Sequence, residues 1–445
     1  MNDYPKIVVS PPGPTARALL ARDEQCISPS YKRYYPLVVE SAHDCIVQDV
    51  DGNKYIDLNA GIACMNVGHN HPKVISAIKS QCDCFLHYSN TDFYYREVIE
   101  LAEKLAEIVP GDFEKRTYFG NSGTEAIEAA VKLAKWHTRK QLLLGFVNSF
   151  HGRTLGALSI TASKPVQRRH FSPFIPGVVH VPYAYCYRCP FRLEYPGCHY
   201  WCVDFIEEFV LQKYVPQEDL AAMVFEPIQG EGGYVVPPPE YFQRLKKLAD
   251  KFDILLIDDE VQSGIGRTGK WLAIEHWGIE PDVVCLAKAL ASGLPLSATI
   301  AKAGIMDWSS GSQASTFGGN PLSCSAAAAV LDIVREEKLL ENAKKQGDYI
   351  LKRLREFGEK SEIVGDVRGK GLMIGVELVE DKDSKKPASE KAADVVTNSW
   401  KRGVAAVTCG ASTIRLSPPL SIDRTMLDVA LDIVEDALGE VAKNG

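Results

Sequence analysis

What this sequence lacks narrows the possibilities first. No apolar run approaches the roughly 20 residues needed to cross a bilayer; the longest, such as Ala326 to Leu331, fall far short, so no helical membrane span is expected. The stretch Met1 to Arg22 carries Pro5, Pro11, Pro12, Pro14 and interleaved charges in place of an apolar signal-peptide core, so secretion has no support and a cytoplasmic protein is expected. Clustered Lys and Arg are also missing. With a formal net charge of -7, a polyanion partner is disfavoured and nucleic acid is not expected. There is no internal repeat or low-complexity tract.

What is present describes an ordinary globular chain of 445 residues, 46% hydrophobic and 24% charged, long enough for two or three domains. Apolar alternation on both sides of Asp51-Gly52-Asn53 reads as short strands around a turn. From Pro72 onward, helical patterns (Val74 to Cys82, Tyr94 to Ile108, Thr124 to Ala134) alternate with short apolar runs (Gln141 to Val147, Ala222 to Phe225, Ile254 to Ile257, Val283 to Leu286). That alternation predicts an α/β fold with a mostly parallel sheet. After Pro321 the pattern changes to helices Leu322 to Arg335 and Leu339 to Phe357, then mixed strand and helix, which reads as a smaller domain. Within it, Glu380 to Glu390 reads as an exposed loop.

Three local patterns carry chemistry. Asn121-Ser122-Gly123-Thr124-Glu125 follows Tyr118-Phe119-Gly120 and opens a helix, which suits either a phosphate seat or a plain N-cap. Asp258-Asp259-Glu260 ends a buried strand, where open sheets place ligands, and the Gly-rich Ser263 to Gly269 loop follows it. Lys288 ends the apolar strand Val283 to Leu286; such an amine is either solvated or neutralised by chemistry, of which a Schiff base is one form.

Taken in that order, these patterns resemble the class III (subgroup II) pyridoxal-phosphate-dependent aminotransferases of fold type I. The resemblance runs from Asp51-Gly52-Asn53-Lys54-Tyr55-Ile56-Asp57 to Ile414-Arg415-Leu416-Ser417-Pro418-Pro419-Leu420, nearly the whole chain. It implies a large domain with a seven-stranded, mostly parallel sheet at residues 66–330, including a Cys-rich insertion at 183–203. A smaller α/β domain would come from residues 1–65 and 331–445. It implies pyridoxal 5'-phosphate as cofactor, with Lys288 and Asp259 catalytic. Lys288 would form the Schiff base and Asp259 would accept from the ring nitrogen. Ser122, Gly123 and Thr124 would seat the phosphate, Phe150 would stack on the ring and Gln262 would meet its hydroxyl. His151 and Glu226 complete the cofactor set. Thr316 would reach the phosphate of a neighbouring subunit, which implies a homodimer with shared sites.

For substrates, amino acids and 2-oxo acids, the resemblance implies that Arg415 clamps an α-carboxylate and that Glu231 pairs with it when an ω-amine is bound. Arg153 would take a distal carboxylate. Ile62 stands where ornithine enzymes tend to carry tyrosine and 4-aminobutyrate enzymes isoleucine. The expectation is therefore amino-group transfer from an ω-amino acid, 4-aminobutyrate in the first instance, to 2-oxoglutarate, with a racemase or epimerase on the same scaffold, or an ornithine or broad-range ω-aminotransferase, as the alternatives. No residue is assigned to an active-site metal. The patterned group Cys186-x2-Cys189-x8-Cys198-x3-Cys202 suits zinc, an iron–sulfur cluster, two disulfides or free thiols, and is given no catalytic part.

Overall fold

The computed structural model describes residues 4–444. The chain divides into two compact units: Lys73–Leu340, and the residues up to Pro72 together with those from Glu341 onward.

The first unit is built on seven strands: β1 (Lys115–Gly120), β2 (Leu142–Phe146), β3 (Val178–Val181), β4 (Leu220–Phe225), β5 (Leu255–Asp259), β6 (Val283–Leu286) and β7 (Ser297–Lys302). Their order across the sheet is β1-β7-β6-β5-β4-β2-β3. Only β7 runs against the rest; it is antiparallel to both β1 and β6. All six residues of β4 are buried, as expected for a strand covered by helices on both faces. Each large apolar side chain so buried contributes about 1.5–3 kcal/mol.

Helices cover the faces because their apolar residues recur at helical spacing. Helix α1 (Gly123–Thr138) buries Ala126, Ile127, Ala129, Ala130, Leu133 and Ala134, mostly small residues that let it lie close to the sheet. Thr299 Oγ1 of β7 donates to the Ala126 carbonyl at 2.9 Å. Helix α2 (Tyr241–Lys251) buries Tyr241, Phe242, Leu245, Leu248 and Ala249, an i, i+1, i+4, i+7, i+8 stripe.

The second unit holds two four-stranded sheets. One joins the hairpin strands Val39–His43, Ile46–Asp49 and Lys54–Asp57 to the parallel Val404–Ala405. Its turn is held by Asp49, whose carboxylate accepts from Asp51 N, Asn53 N, Asn53 Nδ2 and the Tyr55 hydroxyl at 2.8–3.0 Å. The other sheet is antiparallel, with Thr413–Leu416 between Met373–Leu378 and Val407–Cys409. The segment 380–386 is exposed, as expected of a loop, but the loop ends earlier than Glu390: Ala388 is buried and the helix Ser389–Lys401 starts there.

The division falls at 72/73 and 340/341, where the sequence suggested 65/66 and 330/331. The reason is a continuous helix, Pro321–Glu336, that packs against Arg96–Ile108 within the first unit; a boundary at 330 would cut it. Residues 1–3 and 445 of the expected domains lie outside the described residues.

Candidate active site

Five strands that share a direction end on one rim of the sheet, and each delivers candidate residues. After β1 come Ser122, Gly123 and Thr124; after β2, Phe150 and His151; after β4, Glu226; at the end of β5, Asp259 and then Gln262; after β6, Lys288. The carboxyl ends of parallel strands form the ligand crevice of open α/β sheets.

Asp259 and His151 form the centre. They are 4% and 3% exposed, and His151 Nδ1 lies 2.7 Å from Asp259 Oδ2. Asp259 Oδ1 accepts from Val261 N at 3.1 Å, and Thr161 Oγ1 accepts from His151 N at 2.9 Å. Both side chains are thus oriented by fixed partners. Glu226 ties two loops together, accepting from Phe150 N and Gly230 N at 2.8 Å each. Burial is the main cause that pushes its carboxyl up to about 7, with the Asp259 charge acting in the same direction and His151 against.

The expected phosphate seat forms an N-cap. Ser122 has extended backbone and its hydroxyl accepts from Glu125 N at 3.4 Å, while Glu125 Oε2 accepts from Asn121 N at 2.6 Å. This reciprocal cap fixes the helix start and leaves Thr124 on the first turn, where amides have no carbonyl behind them. Thr124 Oγ1 lies 2.7 Å from Thr154 Oγ1, and Glu128 holds that loop by accepting from Ala157 N at 3.0 Å and from the Thr154 hydroxyl. A Cβ on Gly123 would stand 2.7 Å from Val261 Cγ1, so only glycine lets the helix start touch the end of β5.

Lys288 follows β6 with φ of +42° and is half-buried. Phe150 is half-buried with the exposed Arg153 guanidinium 5.6 Å from its ring centroid. Thr316 is exposed. Ile62 and Arg415 belong to the other unit. Ile62 sits in a left-handed turn, Ala60–Ala63, at φ +65°, with Asn59 Oδ1 accepting from its amide at 2.9 Å. A β-branched residue there is strained, and such strain concentrates at functional positions. Arg415 is 3% exposed on the strand Thr413–Leu416.

Within its own unit Glu231 holds Lys164, whose Nζ is 2.6 Å from Glu231 Oε1. Lys164 and Glu231 share a unit, and Arg415 does not. Lys164 was not singled out from sequence, nor were Thr161 and Glu128; each lies in a segment whose pattern reads as loop or helix surface.

Two buried polar atoms point to a bound ring: Gln262 Oε1 and His151 Nε2 have no hydrogen-bond partner among the described residues. With an acid beside a histidine, a half-buried lysine and a hydroxyl-lined helix start, the residues present fit pyridoxal 5'-phosphate. The family profile described as "Aminotransferase class-III" matches residues 27–438. The chain belongs to the class-III aminotransferase family. Its members depend on pyridoxal phosphate, and this class-III enzyme shares that dependence.

Among relatives, the class-III chain is 42% identical to a leucine/methionine racemase of Thermococcus litoralis, over 92% of each chain. It is 40% identical to an alanine/serine racemase of Pyrococcus horikoshii, covering 98% of this chain and 93% of that one. It is 37% identical to a probable 4-aminobutyrate aminotransferase of Bacillus subtilis, covering 88% and 90%. An ornithine aminotransferase structure from Toxoplasma gondii, with pyridoxal phosphate at partial occupancy, superposes with a TM-score of 0.84 at 30% identity, covering 96% and 95%. No helix among the described residues is long and apolar enough to cross a membrane.

Proposed function

We propose that this class-III enzyme racemises or epimerises amino acids with neutral side chains at the α-carbon. The observation that carries the reading is the likeness to two racemases, at 42% and 40% identity over 92% and 98% of this chain, above the 37% of the 4-aminobutyrate relative. A racemase binds one substrate shape and needs no switch between an ω-amine and a 2-oxo acid.

Each residue has a task in that reaction. Arg415 would take the α-carboxylate in its guanidinium fork, Asp259 would hold the ring nitrogen of the bound cofactor, and His151 keeps Asp259 oriented. The Lys288 amine removes the α-proton. Bound at this rim, pyridoxal phosphate supplies the electron sink that makes the proton acidic. Return of a proton to the opposite face of the substrate carbon inverts it; return elsewhere leads to amino-group transfer.

Transfer from 4-aminobutyrate to 2-oxoglutarate is the second reading. Ile62, the exposed Arg153 beside Phe150 and the relative at 37% identity favour it. Incubation with single amino acids and no 2-oxo acid separates the two. Loss of optical rotation at constant amino-acid concentration supports racemisation, whereas conversion that requires 2-oxoglutarate and yields glutamate overturns it.

The enzyme works as a homodimer. Around Thr316, the aromatic residues Tyr88, Phe93, Tyr94 and Phe317 are 49–96% exposed, a patch that suits a partner surface. Sedimentation analysis of the purified chain tests this, with a monomer at assay concentration as the contrary result.

A further inference from the structure

The Cys-rich insertion is untouched by the chemistry above. Strand β3 ends at Val181, and the following segment has little regular structure until a helix begins at Trp201 and runs on through Ile206–Leu211; before it lies only a short turn at Cys186–Arg188. Cys186, Cys189, Cys198 and Cys202 come from the two ends of this segment, yet all four line one cavity and none is in a disulfide. The rest of the lining is aromatic and aliphatic, including Tyr183, Phe191, Leu193 and Trp201. Thus a site of four thiols faces no competing carboxylate or amine in its wall.

We propose that these four cysteines bind one Zn²⁺ as a tetrathiolate site that closes the insertion on itself. The cavity between them has room for one water-sized particle, which suits a single ion. The Cys-x2-Cys and Cys-x3-Cys pairs fit the paired ligand spacing of structural zinc sites. Among the described residues no three such side chains already stand as a metal shell; binding therefore turns the thiols inward from the cavity wall. Each sulfur that coordinates releases a proton, so affinity falls as pH falls. A segment with so few backbone ladders gains most from such a staple.

The test uses the full-length chain with its cofactor, stripped of metal by a chelator and then titrated with Zn²⁺ and with Co²⁺. The expected result is one ion per chain, an intense thiolate-to-cobalt absorption of tetrahedral type, and four thiols that resist a thiol reagent only in the metal-loaded form. The double variant Cys189→Ser/Cys198→Ser should lose the stoichiometric ion while keeping the cofactor absorbance. Should that variant fail to fold, the cobalt spectrum of the native chain decides alone. Absence of stoichiometric metal, two disulfides among the four, iron with sulfide, or unchanged binding in the double variant would each overturn the proposal.

Discussion

His151 Nδ1 stands 2.7 Å from Asp259 Oδ2, and both side chains are all but removed from solvent. A carboxylate held this way keeps its charge at a fixed point, which is the condition for stabilising charge that develops during reaction. Replacing Asp259 with Asn should lower kcat roughly 100-fold or more, because a preorganised charge of this kind is worth that much. The milder His151→Gln change, which touches orientation only, should cost about tenfold. Steady-state kinetics with cofactor content measured by absorbance checks both; equal losses would show that the two do not act in sequence.

Lys288 is the half-buried amine at the end of β6. Substitution Lys288→Ala should abolish the borohydride-stable attachment of cofactor and reduce turnover by about a thousandfold or more, as expected when the acid–base group is lost. Mass spectrometry after borohydride reduction reads the first effect. Labelled cofactor on any other residue would remove Lys288 from its role.

Gly152 has φ of +138°, and a Cβ there would meet Thr124 Oγ1 at 2.2 Å. The Gly152→Ala variant therefore has to displace the hydroxyl from the helix start. Cofactor affinity should fall about tenfold or more, as a charge-assisted contact of about 1.5–3 kcal/mol is lost, and the melting temperature of the cofactor-free chain should fall too, because a Cβ at this φ is strained. Equilibrium dialysis alongside calorimetry separates the two effects.

Asp258 points away from that chemistry and is fully buried, with no partner for either oxygen among the described residues. Burial first, then the charges of Glu260 and Asp259, raise its pKa well above the usual 3.8. A folded value above the unfolded one means that stability is complete below about 3.8 and falls as pH climbs from there through the folded value. Glu226 and Glu260, pushed up to about 7 mainly by burial, add a slope of the same sign from about 4.5 to 7. The variant Asp258→Asn is neutral at every pH, so its melting temperature should gain on the native chain steadily from about pH 5 to about pH 8. A gap independent of pH would contradict the assignment.

Much of this architecture was legible from residues alone, for physical reasons. Strands such as Val283–Leu286 are buried on both faces, so their apolar runs stand out between charges. Helix α1 announces itself through its cap and its alanine stripe. What escaped were relationships set by tertiary placement. Nothing local marks Lys164 as the partner of Glu231, because 67 residues separate them. The unit boundary at 340 was equally hidden, since packing against Arg96–Ile108, not composition, decides where the helix Pro321–Glu336 belongs.

Strand β7 carries a last consequence. Because it runs against its neighbours, it meets the crevice with its first residue, Ser297, which pairs in register with Gly120. It also acts as a spacer: two inter-strand steps, about 10 Å, separate the exit of β1 from the exit of β6. The reversed strand thereby sets how far the anion-holding corner lies from the amine, so a sheet lacking it would bring those two corners too close for the same molecule to span them.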